Sequence, residues 1–64
     1  MTLASIEAAL RGAGIDEARA EALILAAHFT GRTRASLLAS PGDELESDAL
    51  ADAVERRTRR EPLA

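Results

Sequence analysis

Few side chains in this sequence have the chemistry to act on a substrate, and their spacing decides which of them could. His28 is the only histidine, and imidazole alone titrates near neutrality without help from its surroundings. Acid–base work by a histidine also requires an orienting partner and a reacting proton within hydrogen-bond reach. No serine or carboxylate stands near His28 in that pattern. Its place in the last turn of a helical stretch accounts for it structurally. Asp43, Glu44, Glu46 and Asp48 crowd one segment, but the calcium-loop spacing, with a central glycine and a closing glutamate, is absent. They read as a solvated loop. Gly12-Ala13-Gly14 follows a helical pattern, not a strand, and no Lys-Ser or Lys-Thr pair comes after it. It reads as a helix stop, not a phosphate loop.

The arginines are the remaining group. All eight basic residues are arginine, and Arg56, Arg57, Arg59 and Arg60 close the last helical segment before Pro62. Cations at a helix C-terminus complement its dipole, and Asp52–Arg56 and Glu55–Arg59 are spaced for pairing along one helix. The functional alternative is contact with an acidic protein surface or with phosphate, extended by Arg32 and Arg34. A net charge of −3 and one aromatic residue, Phe29, count against nucleic acid.

Four helical segments must position these residues. The first covers residues 3–11, with Thr2 as N-cap and Leu3, Ile6 and Leu10 on one face. Gly12 and Gly14 end it, and Ile15 packs back across the turn. The second covers residues 17–30, with Asp16 as N-cap. Ala18, Ala22, Leu25 and Phe29 form its stripe, and Leu23, Ile24 and Ala27 widen it, which makes it the central, most buried helix. Thr33 caps a third over residues 34–39, with Leu37 and Leu38 inward. Ser40-Pro41-Gly42-Asp43 is a turn, and Leu45 is an anchor within the loop. Ser47 caps a fourth, whose buried face is Leu50, Ala53 and Val54. Pro62 disfavours helical geometry at Glu61 and stops it near Arg60. The expected fold is all-α: a small, irregular bundle of four to five short helices.

The bulk properties agree. A chain of 64 residues, 47% apolar, holds one domain at most, and a domain this small is marginal alone. Without cysteine, disulfides and thiolate metal sites are excluded. The longest apolar run, residues 22–27, is too short to span a bilayer, and no secretory signal opens the chain.

Three blocks resemble a known family. Gly14-Ile15-Asp16-Glu17-Ala18-Arg19-Ala20-Glu21-Ala22 is similar to the start of the second helix in the N-terminal domain of HemK/PrmC-type release-factor glutamine methyltransferases. His28-Phe29-Thr30-Gly31-Arg32-Thr33-Arg34 resembles that family's histidine, Thr-Gly and arginine signature. Arg56-Arg57-Thr58-Arg59-Arg60-Glu61-Pro62-Leu63-Ala64 resembles its double arginine, basic spacer and Glu-Pro segment. Their order and spacing agree over nearly the whole chain.

The resemblance implies a helical substrate-recognition domain at residues 1–60, with 61–64 beginning a linker to a methyltransferase domain. That domain would bind S-adenosylmethionine and methylate the glutamine of the Gly-Gly-Gln motif in peptide chain release factors. Its Asn-Pro-Pro-Tyr motif has no counterpart here, since the chain lacks asparagine and tyrosine. No catalytic, cofactor-binding or metal-binding residue is therefore carried over, and the chain by itself is expected to be inactive. Its expected partners are release factors and its own methyltransferase domain, in the cytoplasm, without membrane or direct nucleic-acid contact. By charge placement, Arg32, Arg34, Arg56, Arg57 and Arg60 are the expected partner-binding residues. A free-standing helical protein-binding adaptor and a small DNA-binding helical domain are the alternatives.

Overall fold

In a computed structural model, residues 1–59 are described. They form four helices: α1 (Leu3–Gly12), α2 (Ala18–Thr30), α3 (Arg34–Ala39) and α4 (Asp48–Thr58). No strand occurs among the described residues. The all-α expectation is met, with four helices.

Local chemistry fixes most helix ends. The Thr2 hydroxyl accepts from the Ser5 N–H at 3.1 Å, and Ser5 Oγ accepts from the Thr2 N–H at 2.8 Å. This reciprocal box satisfies two donors that a helix start otherwise leaves unpaired. At the other end of α1, Gly14 adopts φ 85°. The Gly14 N–H then reaches the Arg11 carbonyl at 3.0 Å, and the Ile15 N–H reaches that of Leu10 at 3.1 Å. This is a Schellman closure, with the residue after the glycine folded back apolar side in. Ile15 is buried accordingly.

The start of α2 differs from expectation. Asp16 does not cap it: Glu17 is the N-cap, and no side chain bonds there. The Ile15 turn carries the chain through residues 16 and 17 before the helix begins one residue later. Gly31, at φ 74°, ends α2 and donates to the Ala27 carbonyl. Thr33 and Ser47 cap α3 and α4 through their hydroxyls, each accepting at 3.1 Å. The expected stop of α4 near Arg60 lies outside the described residues.

α2 is central: α1, α3 and α4 all pack on it, and α1 also meets α4. Ile6, Leu10, Leu37 and Leu50 are its largest fully buried partners. The face that α2 itself contributes is a seam of Ala18, Ala22 and Ala26, each almost fully buried. Ala18 and Ala22 of the expected stripe are buried as expected, but Leu25 and Phe29 are not, and Ala26 completes the seam. Leu23, Leu25 and Phe29 are only half-buried against the core, and Ile24 is 53% exposed. Interaxial distance follows the size of side chains at the contact, so a seam of alanines brings the neighbouring helices close and leaves the bulkier residues on the flanks. Ile24 lies about 200° around the helix from Ala22, at 3.6 residues per turn. In α3, Leu37 is buried but Leu38 is 45% exposed. Adjacent helical residues diverge by about 100°, and this short helix has only one covered side. Leu45 is buried in the loop, where its N–H donates to the Met1 carbonyl at 2.6 Å.

Candidate protein-interaction surface

The expected arginines divide into two groups. Arg32 and Arg34 follow the C-terminal end of α2, and Arg56 and Arg57 sit in the last turn of α4. Arg57 meets Glu21 in the first turn of α2. Nine residues separate Glu21 from Thr30, about 13 Å of helix rise. The two groups therefore flank opposite ends of the central helix. Arg60 lies outside the described residues.

Their electrostatic states also differ. Arg57 makes two hydrogen bonds to the Glu21 carboxylate, at 2.7 and 3.1 Å, and both side chains are about one-third exposed. The Arg57 hydrogen bond holds the Glu21 carboxyl below its usual range, and its positive charge adds to this against a smaller opposing effect of burial. Reciprocally, the Glu21 hydrogen bond raises Arg57 further. This is the fork geometry that guanidinium forms with carboxylate. Arg56 pairs with Asp52 at 3.2 Å along α4, and Arg59 pairs with Glu55. Arg32 reaches Asp43 at 3.2 Å, tying the end of α2 to the loop before α4. Arg34 is exposed and makes no ion pair among the described residues.

The other candidates fall into structural places. His28 is exposed and stands edge-on to Phe29, with ring centroids 4.8 Å apart. Gly12-Ala13-Gly14 closes α1, as expected. No group of three or more potential metal ligands occurs among the described residues. Around Leu45 lies an open cleft of about 670 Å³, lined by Glu44, Glu46 and Asp48 among others. Ser47 also lines it, with its hydroxyl capping α4 through the Leu50 N–H, and Glu44 pairs with the Met1 amino group. No described helix is long and apolar enough to cross a membrane.

The sequence reading missed the outward Ile24 and Leu38. The available signal was the composition of α2 itself. From Ala22 to Ala27 it is apolar on every side, which exceeds what three neighbouring helices can cover. Ile24 and Leu38 are left exposed, at 53% and 45%.

No curated protein and no solved structure matches the chain. A family profile described as the PrmC N-terminal domain matches residues 2–64. That span contains all four helices, the glycine closures of α1 and α2, and both arginine groups. The chain therefore belongs to the PrmC N-terminal domain family, the helical domain of release-factor methyltransferases.

Proposed function

We propose that this chain is the substrate-recognition domain of a protein-(glutamine-N5) methyltransferase and that its partner is a peptide chain release factor. The family match over residues 2–64 carries this reading. The outward Ile24 and Leu38, on a domain whose other large aliphatic side chains are mostly covered, support it.

Methyl transfer to an amide nitrogen requires that weak nucleophile to be held in line with the donor methyl group. Binding energy from remote parts of a protein substrate can fix that geometry. A rigid helical bundle offers such a remote grip. S-adenosylmethionine supplies the methyl group in this chemistry. The described residues do not fit it: Gly12-Ala13-Gly14 ends a helix, with no strand before it to form a nucleotide-type loop. The donor belongs to the catalytic domain that this reading places after residue 60. Arg32, Arg34, Arg56, Arg57 and Arg60 are the proposed rim contacts, and the cytoplasm is the proposed site of action. The negative net charge favours a protein partner over nucleic acid.

The test is methylation of a release factor by the parent enzyme with and without residues 1–60. Loss of kcat/KM dominated by a higher KM is expected. Unchanged kcat/KM on deletion would overturn the reading.

A further inference from the structure

Seven arginines lie among the described residues, and five are held by a carboxylate of this chain. Arg19 and Arg34 are the two without an ion pair among those residues. Arg34 opens α3, and Leu38 follows one helical turn later on the same face. Leu38 is 45% exposed, whereas Leu37 beside it turns fully into the core. One short helix face thus presents a cation with no carboxylate partner among the described residues, one turn from a half-exposed leucine.

We infer that the Arg34–Leu38 face of α3 docks an acidic segment of the protein substrate anchored by a large apolar side chain. This rests on the recognition role proposed above and names the surface and the chemistry of what it takes. The leucine supplies apolar area, and the guanidinium supplies a two-pronged donor for a carboxylate. Charge argues against a second copy as the occupant. A two-fold contact sets one patch against itself, and here it would bring Arg34 towards Arg34. The arginines of α4 are already committed to Asp52, Glu55 and Glu21 and are not the principal docking charges.

The test is calorimetric titration of this chain with a purified release factor at low and high salt, with sedimentation of the chain alone. Leu38→Asp is expected to weaken binding about tenfold or more, through the lost apolar anchor at both salt concentrations and through added repulsion of an acidic partner at low salt. Arg34→Glu is expected to weaken it severalfold at low salt, with a smaller effect at high salt. Arg11→Gln and Arg59→Gln, at arginines paired within their own helices, are expected to leave binding unchanged. Leu38→Ser and Arg34→Gln, checked by circular dichroism, replace the first two if either disturbs the fold. If the native chain binds but the Leu38 and Arg34 variants bind equally well, the surface lies elsewhere and the inference is overturned while the recognition role stands. If the chain self-associates through Leu38, a second copy is the occupant and the inference is likewise overturned. Absence of any binding by the native chain overturns the recognition role itself, and the inference with it.

Discussion

Arg57, in the last turn of α4, grips Glu21, in the first turn of α2, through two hydrogen bonds of 2.7 and 3.1 Å. It is the one ion pair among the described residues that joins two helices directly. It fixes where α4 ends relative to the central helix. Its stabilising effect depends on pH in a definite direction. Glu21 has a depressed pKa in the folded state, so its contribution is present above the ordinary carboxylate range. It is lost as pH falls through the lower, folded value. Glu21→Gln is expected to lower stability at neutral pH and to flatten the acid limb of the stability profile. Urea unfolding from neutral pH downward checks this. An unchanged acid limb would show the pair to be energetically silent, as many exposed pairs are.

Leu37 and Leu38 are neighbours with opposite surroundings, 1% and 45% exposed. Leu37→Ala is expected to destabilise by about 2–5 kcal/mol through the lost burial and the cavity left behind. Leu38→Ala should stay within about 0.5 kcal/mol, as a surface change does. Thermal or urea denaturation of the two variants checks the orientation of α3. Similar losses would mean that this short helix is rotated from its described position.

Gly31 holds φ 74°, and an added Cβ there would meet nothing within 4 Å. The cost of Gly31→Ala is therefore conformational, about 1–2 kcal/mol for a left-handed alanine. Gly31→Asn should recover part of it, because asparagine tolerates that region. Gly42→Ala, also in open space and without a positive φ, is the control and should be close to neutral. Chemical denaturation of the three variants measures the order.

Ser47 and Asp16 both have the chemistry of a helix cap, but only Ser47 makes the bond, from the Leu50 N–H at 3.1 Å. Ser47→Ala is expected to cost about 1 kcal/mol. Asp16→Ala should have no capping cost, since α2 starts at Glu17 with no side-chain bond. Equal losses in unfolding experiments would show that Asp16 caps α2 in solution.

The helices were legible because their ends are chemical and local. Thr2, Thr33, Ser47, Gly14 and Gly31 each act within a few residues of themselves, and a sequence displays that directly. The inward faces of α1 and α4 were legible too, since Leu3, Ile6 and Leu10, then Leu50 and Val54, are apolar residues among polar ones. α2 was different. Where Ala22 to Ala27 are all apolar, periodicity cannot say which side is covered, and size suggested Leu25 and Phe29. The structure buries Ala26 with the expected Ala18 and Ala22 and leaves Leu25 and Phe29 half-buried on the flanks. The same ambiguity concealed Ile24 and Leu38. Charge placement brought the arginines forward as a group, but their pairing depends on tertiary contacts such as Arg57 with Glu21, which spacing along the chain does not reveal.

The seam of Ala18, Ala22 and Ala26 has a consequence for inheritance. Each position can drift along hardly any route. Every replacement but glycine is bulkier and presses on the helices packed against α2, and glycine loosens the helix that holds the bundle together. The smallest side chains in the core should therefore be its least replaceable. Change over generations should collect instead on the outer side of the same helix, where Ile24 is 53% exposed and the fold sets fewer limits on size.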